Sequence, residues 1–147
     1  MVRLEPVGRV VNGIASHPVG GWQGIESIIE VGRPYWLALL GLEDFSHVMV
    51  LFWFDRTTED RRNTLVVHPR RRKDLPRVGV FATRSPARPN PLGVTVCRLL
   101  HVGEGELRVR GLDAFDGTPV VDLKGYGGEE AEPDRVPDWL MQLWSER

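Results

Sequence analysis

Arginine is the residue that most often stands where chemistry could happen in this chain. From Val78 to Gly93 the sequence reads VGVFATRSPARPNPLG, in which Pro86, Pro89 and Pro91 alternate with Arg84, Arg88 and Asn90. Proline fixes its own φ and restricts the residue before it, so this segment should be a stiff, irregular loop that presents two guanidiniums. Such a loop loses little conformational entropy on binding, which suits ligand recognition. On physics alone it could equally be a rigid connector whose arginines pair with nearby carboxylates. Upstream, His68-Pro69-Arg70-Arg71-Arg72-Lys73 ends in four consecutive basic residues. A run of that kind can follow a phosphate backbone with salt-dependent, sequence-blind affinity, or it can be a solvated loop.

Other chemistries find no residues to support them. The single cysteine, Cys97, lies between Val96 and Arg98 and reads as a small buried strand residue; it can form neither an internal disulfide nor a CxxC metal site. Gly103-Glu104-Gly105 lacks the third glycine of a dinucleotide fingerprint, and the chain has no GxSxG, HExxH or phosphate-cradling glycine loop. His47 reads as a satisfied core histidine, and no partner can be inferred for His17 or His101.

The elements that must position these residues are mostly strands. Val7–Val11 and Ile25–Val31 are β-branched stretches bounded by Gly and Pro, the second with imperfect alternation because Ser27 falls among Ile25, Ile28 and Ile29. Val48–Phe54 has no polar break and predicts a strand buried on both faces. Val78–Ala82 predicts a short strand. Val94–Val102 and Leu107–Leu112 predict a hairpin with a three- or four-residue loop, and Thr118–Leu123 a last strand after the Asp116-Gly117 turn. Pro34–Leu40 should hold a short helix stopped by Gly41. Pro137–Glu146 should hold a longer one, with Leu140, Leu143 and Trp144 on one face. Arg56–Arg77 has much charge and little periodicity, as functional or mobile stretches do. Many short strands and a terminal helix predict a mainly β fold, a small closed or nearly closed barrel.

The 147 residues suit one domain, 1–147, and 41% hydrophobic with 27% charged residues is ordinary for a globular protein. Met1–Gly13 carries Arg3, Glu5 and Arg9 without a continuous apolar stretch, and no run is long enough to cross a bilayer, so a cytoplasmic location is expected. Net charge is −1 but polarised: Arg56–Pro91 carries ten Arg/Lys against three Asp/Glu, and the remainder nine against seventeen. A chain charged in this way can attract a polyanion to one face without being basic overall.

Three blocks together resemble the TsaA-like family, which contains S-adenosylmethionine-dependent tRNA adenosine-37 N6-methyltransferases. The Val78–Gly93 segment is similar to the family's GVFATRS…RPNP signature. Leu42-Glu43-Asp44-Phe45-Ser46-His47 with the apolar run after it is similar to the family's eeFSH strand. Asp113–Lys124, reading DAFDGTPVVDLK, looks like its DGTPVLDIKPY block. The resemblance runs from about Val7 to Trp139. It implies a small β-barrel, often dimeric, that binds S-adenosyl-L-methionine without a Rossmann domain and methylates N6 of threonylcarbamoyl-adenosine beside the tRNA anticodon.

Carried over residue by residue, the resemblance puts cofactor contacts at Asp55 and Arg56, at Arg84, and at Asp122, Leu123, Lys124 and Gly125. An arginine suits the cofactor's carboxylate and a carboxylate its sulfonium. Asp55 could instead pair with Arg56 or Arg61, and Asp122 could simply cap a turn. Where the family has a PRQ-like triplet this chain has Gly20-Gly21-Trp22-Gln23, leaving Gln23 as the matching cofactor residue and Trp22 as a stacking face. The usual KPY is Lys124-Gly125-Tyr126, a looser loop, and the chain ends without the longer C-terminal domain of bacterial members.

An exocyclic adenine amine is a poor nucleophile, so the protein must hold amine, methyl and sulfur in line and can also accept the amine proton. Asp122 is the candidate base, with Lys124 positioning a carboxylate or phosphate. Arg88 and Asn90 would hold the loop or the nucleotide, Arg70, Arg71, Arg72 and Lys73 would hold tRNA phosphates, and no metal is required. The competing readings are a cofactor- or RNA-binding module without turnover, and a methyltransferase for another substrate. A homodimer is expected from the resemblance.

Overall fold

The computed structural model describes all 147 residues, Met1–Arg147. It contains eight strands in chain order: β1 Gly8–Val11, β2 Glu26–Val31, β3 His47–Trp53, β4 Val66–Val67, β5 Val78–Gly79, β6 Leu92–Gly103, β7 Glu106–Arg110 and β8 Pro119–Gly125. The α-helices are α1, Glu59–Arg62, and α2, Asp138–Ser145. The chain forms two compact units, one of residues Met1–Arg56 and Pro91–Gly127, the other of Thr57–Asn90 and Gly128–Arg147.

In the first unit the strands close into a barrel in the order β1-β2-β7-β6-β3-β8, every pair antiparallel. Closure puts one face of each strand inside, and the side-chain period of two then decides what is buried. In β3, Val48, Val50 and Phe52 are at most 1% exposed, whereas His47, Met49, Leu51 and Trp53 are half-buried. The expectation of a strand buried on both faces is therefore corrected: a barrel strand has one inner face. In β2 the alternation is strict, because Ser27 points inward with Ile29 and Val31. Its hydroxyl is satisfied by Asn12 Nδ2, which donates to Ser27 Oγ at 3.0 Å.

The β6–β7 hairpin turns on two residues, Glu104 and Gly105, since Gly103 already pairs with Glu106; the loop is shorter than the sequence predicted. Gly105 has φ 72°, and a Cβ there would lie 2.3 Å from the Trp36 ring, so both the turn and the close approach exclude a side chain. Trp36 is fixed by its indole N–H, which donates to the Val31 carbonyl at 2.8 Å. It lies on a 3₁₀ helix, Arg33–Leu39, after which Gly41 adopts φ 87°. Between β3 and β8 the register shifts, Leu51 facing Asp122 and Phe52 facing Val120. This is a β-bulge, which aims Asp122 and Lys124 to the outer face alongside Leu51 and Met49.

The second unit is built around a two-stranded ribbon, β4 with β5, in which Val66 pairs with Gly79 and Val67 with Val78. Only Val78–Gly79 of the predicted Val78–Ala82 strand pairs, because Val80–Ala82 winds into a 3₁₀ turn. The weakly patterned stretch before it contains α1, β4 and the turn Pro69–Arg71. Helix α2 buries Leu143, half-buries Leu140 and Trp139, and leaves Trp144 43% exposed. No helix is long and apolar enough to cross a membrane.

Candidate functional site

At one end of the barrel three pieces of chain meet: the β1–β2 connection, the residues just past β3, and the β7–β8 connection. Asp116 ties two of them together. Its Oδ1 accepts the backbone N–H of Asn12 at 2.9 Å and of Gly13 at 3.0 Å, and its own N–H donates to the Ile14 carbonyl at 2.9 Å. Those donors, Gly13 first and then Asn12, hold the Asp116 carboxyl below its usual value of 3.8. Asn12 Nδ2 also donates to the Ala114 carbonyl at 3.0 Å.

On this frame sits Arg56. Its Nη1 donates to the Ala15 carbonyl at 2.7 Å, and its guanidinium carbon lies 4.1 Å from the centre of the Phe115 ring. Phe115 in turn meets Trp22 and His17 edge-on, with ring centres 5.5 Å and 5.2 Å away. His17, which has no partner legible in the sequence, thus touches two rings, Phe115 and Trp22. Asp55 is exposed and forms no ion pair with Arg56 or Arg61. Gln23 is exposed, and its carbonyl lies close to Gly111 on the β7–β8 connection. The cluster therefore offers guanidinium N–H groups for an anion, a free carboxylate for a cation, and aromatic rings for a flat heterocycle.

The Asp122–Gly125 block lies on the wall of the barrel. Asp122 Oδ2 and Lys124 Nζ form an ion pair of 2.8 Å, both side chains about half exposed. Leu123 points inward and packs on the core, so only its backbone is available to a ligand. Gly125 lies under Phe45, where a Cβ would come within 2.8 Å of the ring. No hydrogen bond or ring contact links this block to Arg56. His47 is half-buried at the start of β3, not a core residue, and its Nδ1 is 2.7 Å from Ser46 Oγ.

In the second unit the predicted residues divide into stapled and free. Arg88 donates to the carbonyls of Thr83 at 3.0 Å, Val80 at 3.1 Å and Ser85 at 3.3 Å. Of the two roles expected of Arg88, holding the loop is the one these bonds perform. Arg84 and Asn90 remain exposed. The basic run is likewise not uniform. Arg72 pairs with Asp74 at 2.6 Å and with Glu146, just past the end of α2, so its guanidinium is occupied within the chain and not offered to phosphates. Arg70, Arg71 and Lys73 stay exposed, the first two with φ of 53° and 60°. The partner Glu146 lies 74 residues along the chain, beyond any local reading of the run.

Sequence reasoning missed Phe115, His17, Asn12 and Asp116 as parts of the site. Phe115 and Asp116 lay inside a block already singled out, but only folding shows which loops they meet. Burial, then the nearby Asp113, pushes the Cys97 thiol up to about 12, in line with an inert strand cysteine. No group of three or more His, Cys, Asp or Glu side chains is arranged to hold a metal ion.

The tRNA-methyltransferase O N-terminal domain family matches residues 15–130. A probable S-adenosyl-L-methionine-binding protein of Methanothermobacter thermautotrophicus is 45% identical over 129 residues, covering 85% of this chain and 90% of that protein. The human tRNA (adenine(37)-N6)-methyltransferase is 41% identical over 106 residues, 72% of this chain and 24% of that enzyme. A crystal structure of TrmO from Pseudomonas aeruginosa superposes with a TM-score of 0.70 at 28% identity, covering 92% of this chain. The chain spans 61% of the length of that structure.

Proposed function

The chain belongs to the tRNA-methyltransferase O N-terminal domain family, and from that premise we propose that it transfers a methyl group from S-adenosyl-L-methionine to N6 of adenosine-37, beside the anticodon of tRNA. The observation that carries this reading is the Arg56 cluster, whose donor set fits the cofactor. Arg56 suits its carboxylate, the unpaired Asp55 its sulfonium, and the Trp22 ring its adenine. Gln23 and the backbone of Leu123 and Gly125 are the further cofactor contacts in this proposal. Bound there, the cofactor would supply a methyl group activated by a sulfonium leaving group. The chain's own contribution is orientation of the amine and, at Asp122 Oδ, acceptance of the amine proton, with Lys124 holding the carboxylate in place. Arg70, Arg71, Lys73 and Asn90 are the proposed RNA contacts, Arg72 and Arg88 being engaged within the chain.

Calorimetry with S-adenosyl-L-methionine and its demethylated product tests the cofactor. Micromolar-range binding is expected, and no heat or thermal shift at millimolar ligand would reject the site. Mass spectrometry of tRNA nucleosides from a deletion strain and its complement tests the product, which should vanish and return. A binding module without turnover is the second reading. It is favoured by one observation: the candidate base is an outward carboxylate already engaged by Lys124.

The same reading includes a homodimer working in the cytoplasm, where its tRNA substrate resides. The dimer is supported by an outward apolar strip on β6, where Leu92, Val94 and Val96 are 37%, 39% and 41% exposed, flanked by the half-buried Met49 and Leu51 of β3.

A further inference from the structure

We infer that Phe115 is a positioning residue, its ring holding the Arg56 guanidinium in place so that its remaining N–H donors receive the carboxylate of S-adenosyl-L-methionine. The inference rests on the cofactor reading above. An exposed arginine has several side-chain torsions to fix before it can serve as a preformed receptor, and entropy opposes fixing them. Arg56 is restrained twice. The Ala15 carbonyl takes one Nη1 hydrogen at 2.7 Å, and the guanidinium carbon lies over the Phe115 ring, 4.1 Å from its centre. One of the five guanidinium N–H donors is used by Ala15, and a group held over the ring keeps the others in the planar fork that matches a carboxylate.

The ring itself is immobilised. Trp22 and His17 meet it edge-on, and the backbone on either side is pinned where the Ala114 carbonyl accepts Asn12 Nδ2 and the Asp116 N–H donates to Ile14. Phe115 is no ordinary core side chain. It stands outside the buried cluster that fills the barrel and is only partly covered, so filling the interior does not account for an aromatic there. An aliphatic residue would occupy similar space without an electron-rich face for the cation.

The test is calorimetry on the full chain with S-adenosyl-L-methionine and with its decarboxylated form, with melting temperature recorded for each variant. Phe115→Leu should weaken binding of the intact cofactor about 2- to 30-fold, the span of a cation–π contact, and leave the decarboxylated form unaffected. Phe115→Tyr should restore binding. Arg56→Ala should weaken binding more, and adding Phe115→Leu to it should cause no further loss, because the ring acts through the arginine. Should Phe115→Leu fail to fold, Phe115→Met, which also removes the π face, takes its place. Two results overturn the inference while sparing the cofactor site: unchanged affinity in Phe115→Leu alongside a loss in Arg56→Ala, or an equal loss from Phe115→Leu in both backgrounds. If Arg56→Ala binds like the parent, the Arg56 contact and the inference fall together; if the parent itself binds neither form, the cofactor reading fails.

Discussion

Asp122 and Lys124 stand together because residues two apart share a face of a strand, and the bulge beside them turns that face outward. An ion pair so exposed contributes little to stability, so its members can be replaced without unfolding the barrel. This makes Asp122→Asn an informative change. If the carboxylate accepts the amine proton, turnover at saturating cofactor should fall by roughly 10² to 10⁴, with melting temperature and cofactor affinity little changed. Full turnover in the variant would reject the base and leave orientation as the source of rate. Asp116 makes a separate prediction, on pH. Backbone N–H groups stabilise its ionised form in the folded chain, so the unfolded chain binds that proton more readily. The stability it contributes is present above the ordinary carboxylate value of about 3.8 and is lost as pH falls through the lower folded value. Thermal melts between roughly pH 5 and pH 2 should therefore show a shallower acid loss for Asp116→Asn than for the parent, even though the parent is the more stable at neutral pH.

At the level of elements, the basic turn after β4 has two kinds of arginine. Arg72 joins the turn to Asp74 and to the end of α2, and those bonds hold the carboxyls of Asp74 and Glu146 below their usual range. Arg70, Arg71 and Lys73 carry charge without a partner in the fold. Replacing these three by Ala should weaken tRNA binding and reduce its salt slope by about 0.7 to 0.9 for each phosphate no longer neutralised, while cofactor binding is retained. Arg72→Ala should do the converse, lowering the melting temperature and leaving the salt slope in place. Filter binding across a salt series, together with thermal melts, separates the two; an unchanged slope in the triple variant would make the turn a solvated loop.

For the whole molecule, the outer face of β6 leaves the apolar side chains of Leu92, Val94 and Val96 exposed. Light scattering at high micromolar concentration should give a homodimer, and Val94→Lys with Val96→Lys should give a monomer with unchanged circular dichroism. A monomeric parent would end the dimer proposal. The substitution is tolerable because both side chains point outward from an otherwise paired strand.

Much of this was legible in the residues. Hydrophobic runs between Gly and Pro located all six barrel strands, because strand formation follows a local period and turn residues interrupt it. The proline–arginine loop and the Asp113–Lys124 block marked the family because stiff, unusual segments are hard to match by chance. The face each strand buries was less accessible. Ser27 inside and Leu51 outside follow from closure, which depends on how all six strands pair, not on any one of them. The role of each arginine was the least accessible. Arg56, Arg72 and Arg88 look alike in a chain, but the first lies on Phe115, the second pairs with Glu146 and the third spans carbonyls of its own loop. A guanidinium's availability depends on which acceptors and rings the fold brings near it, and two of those partners, Phe115 and Glu146, are 59 and 74 residues away.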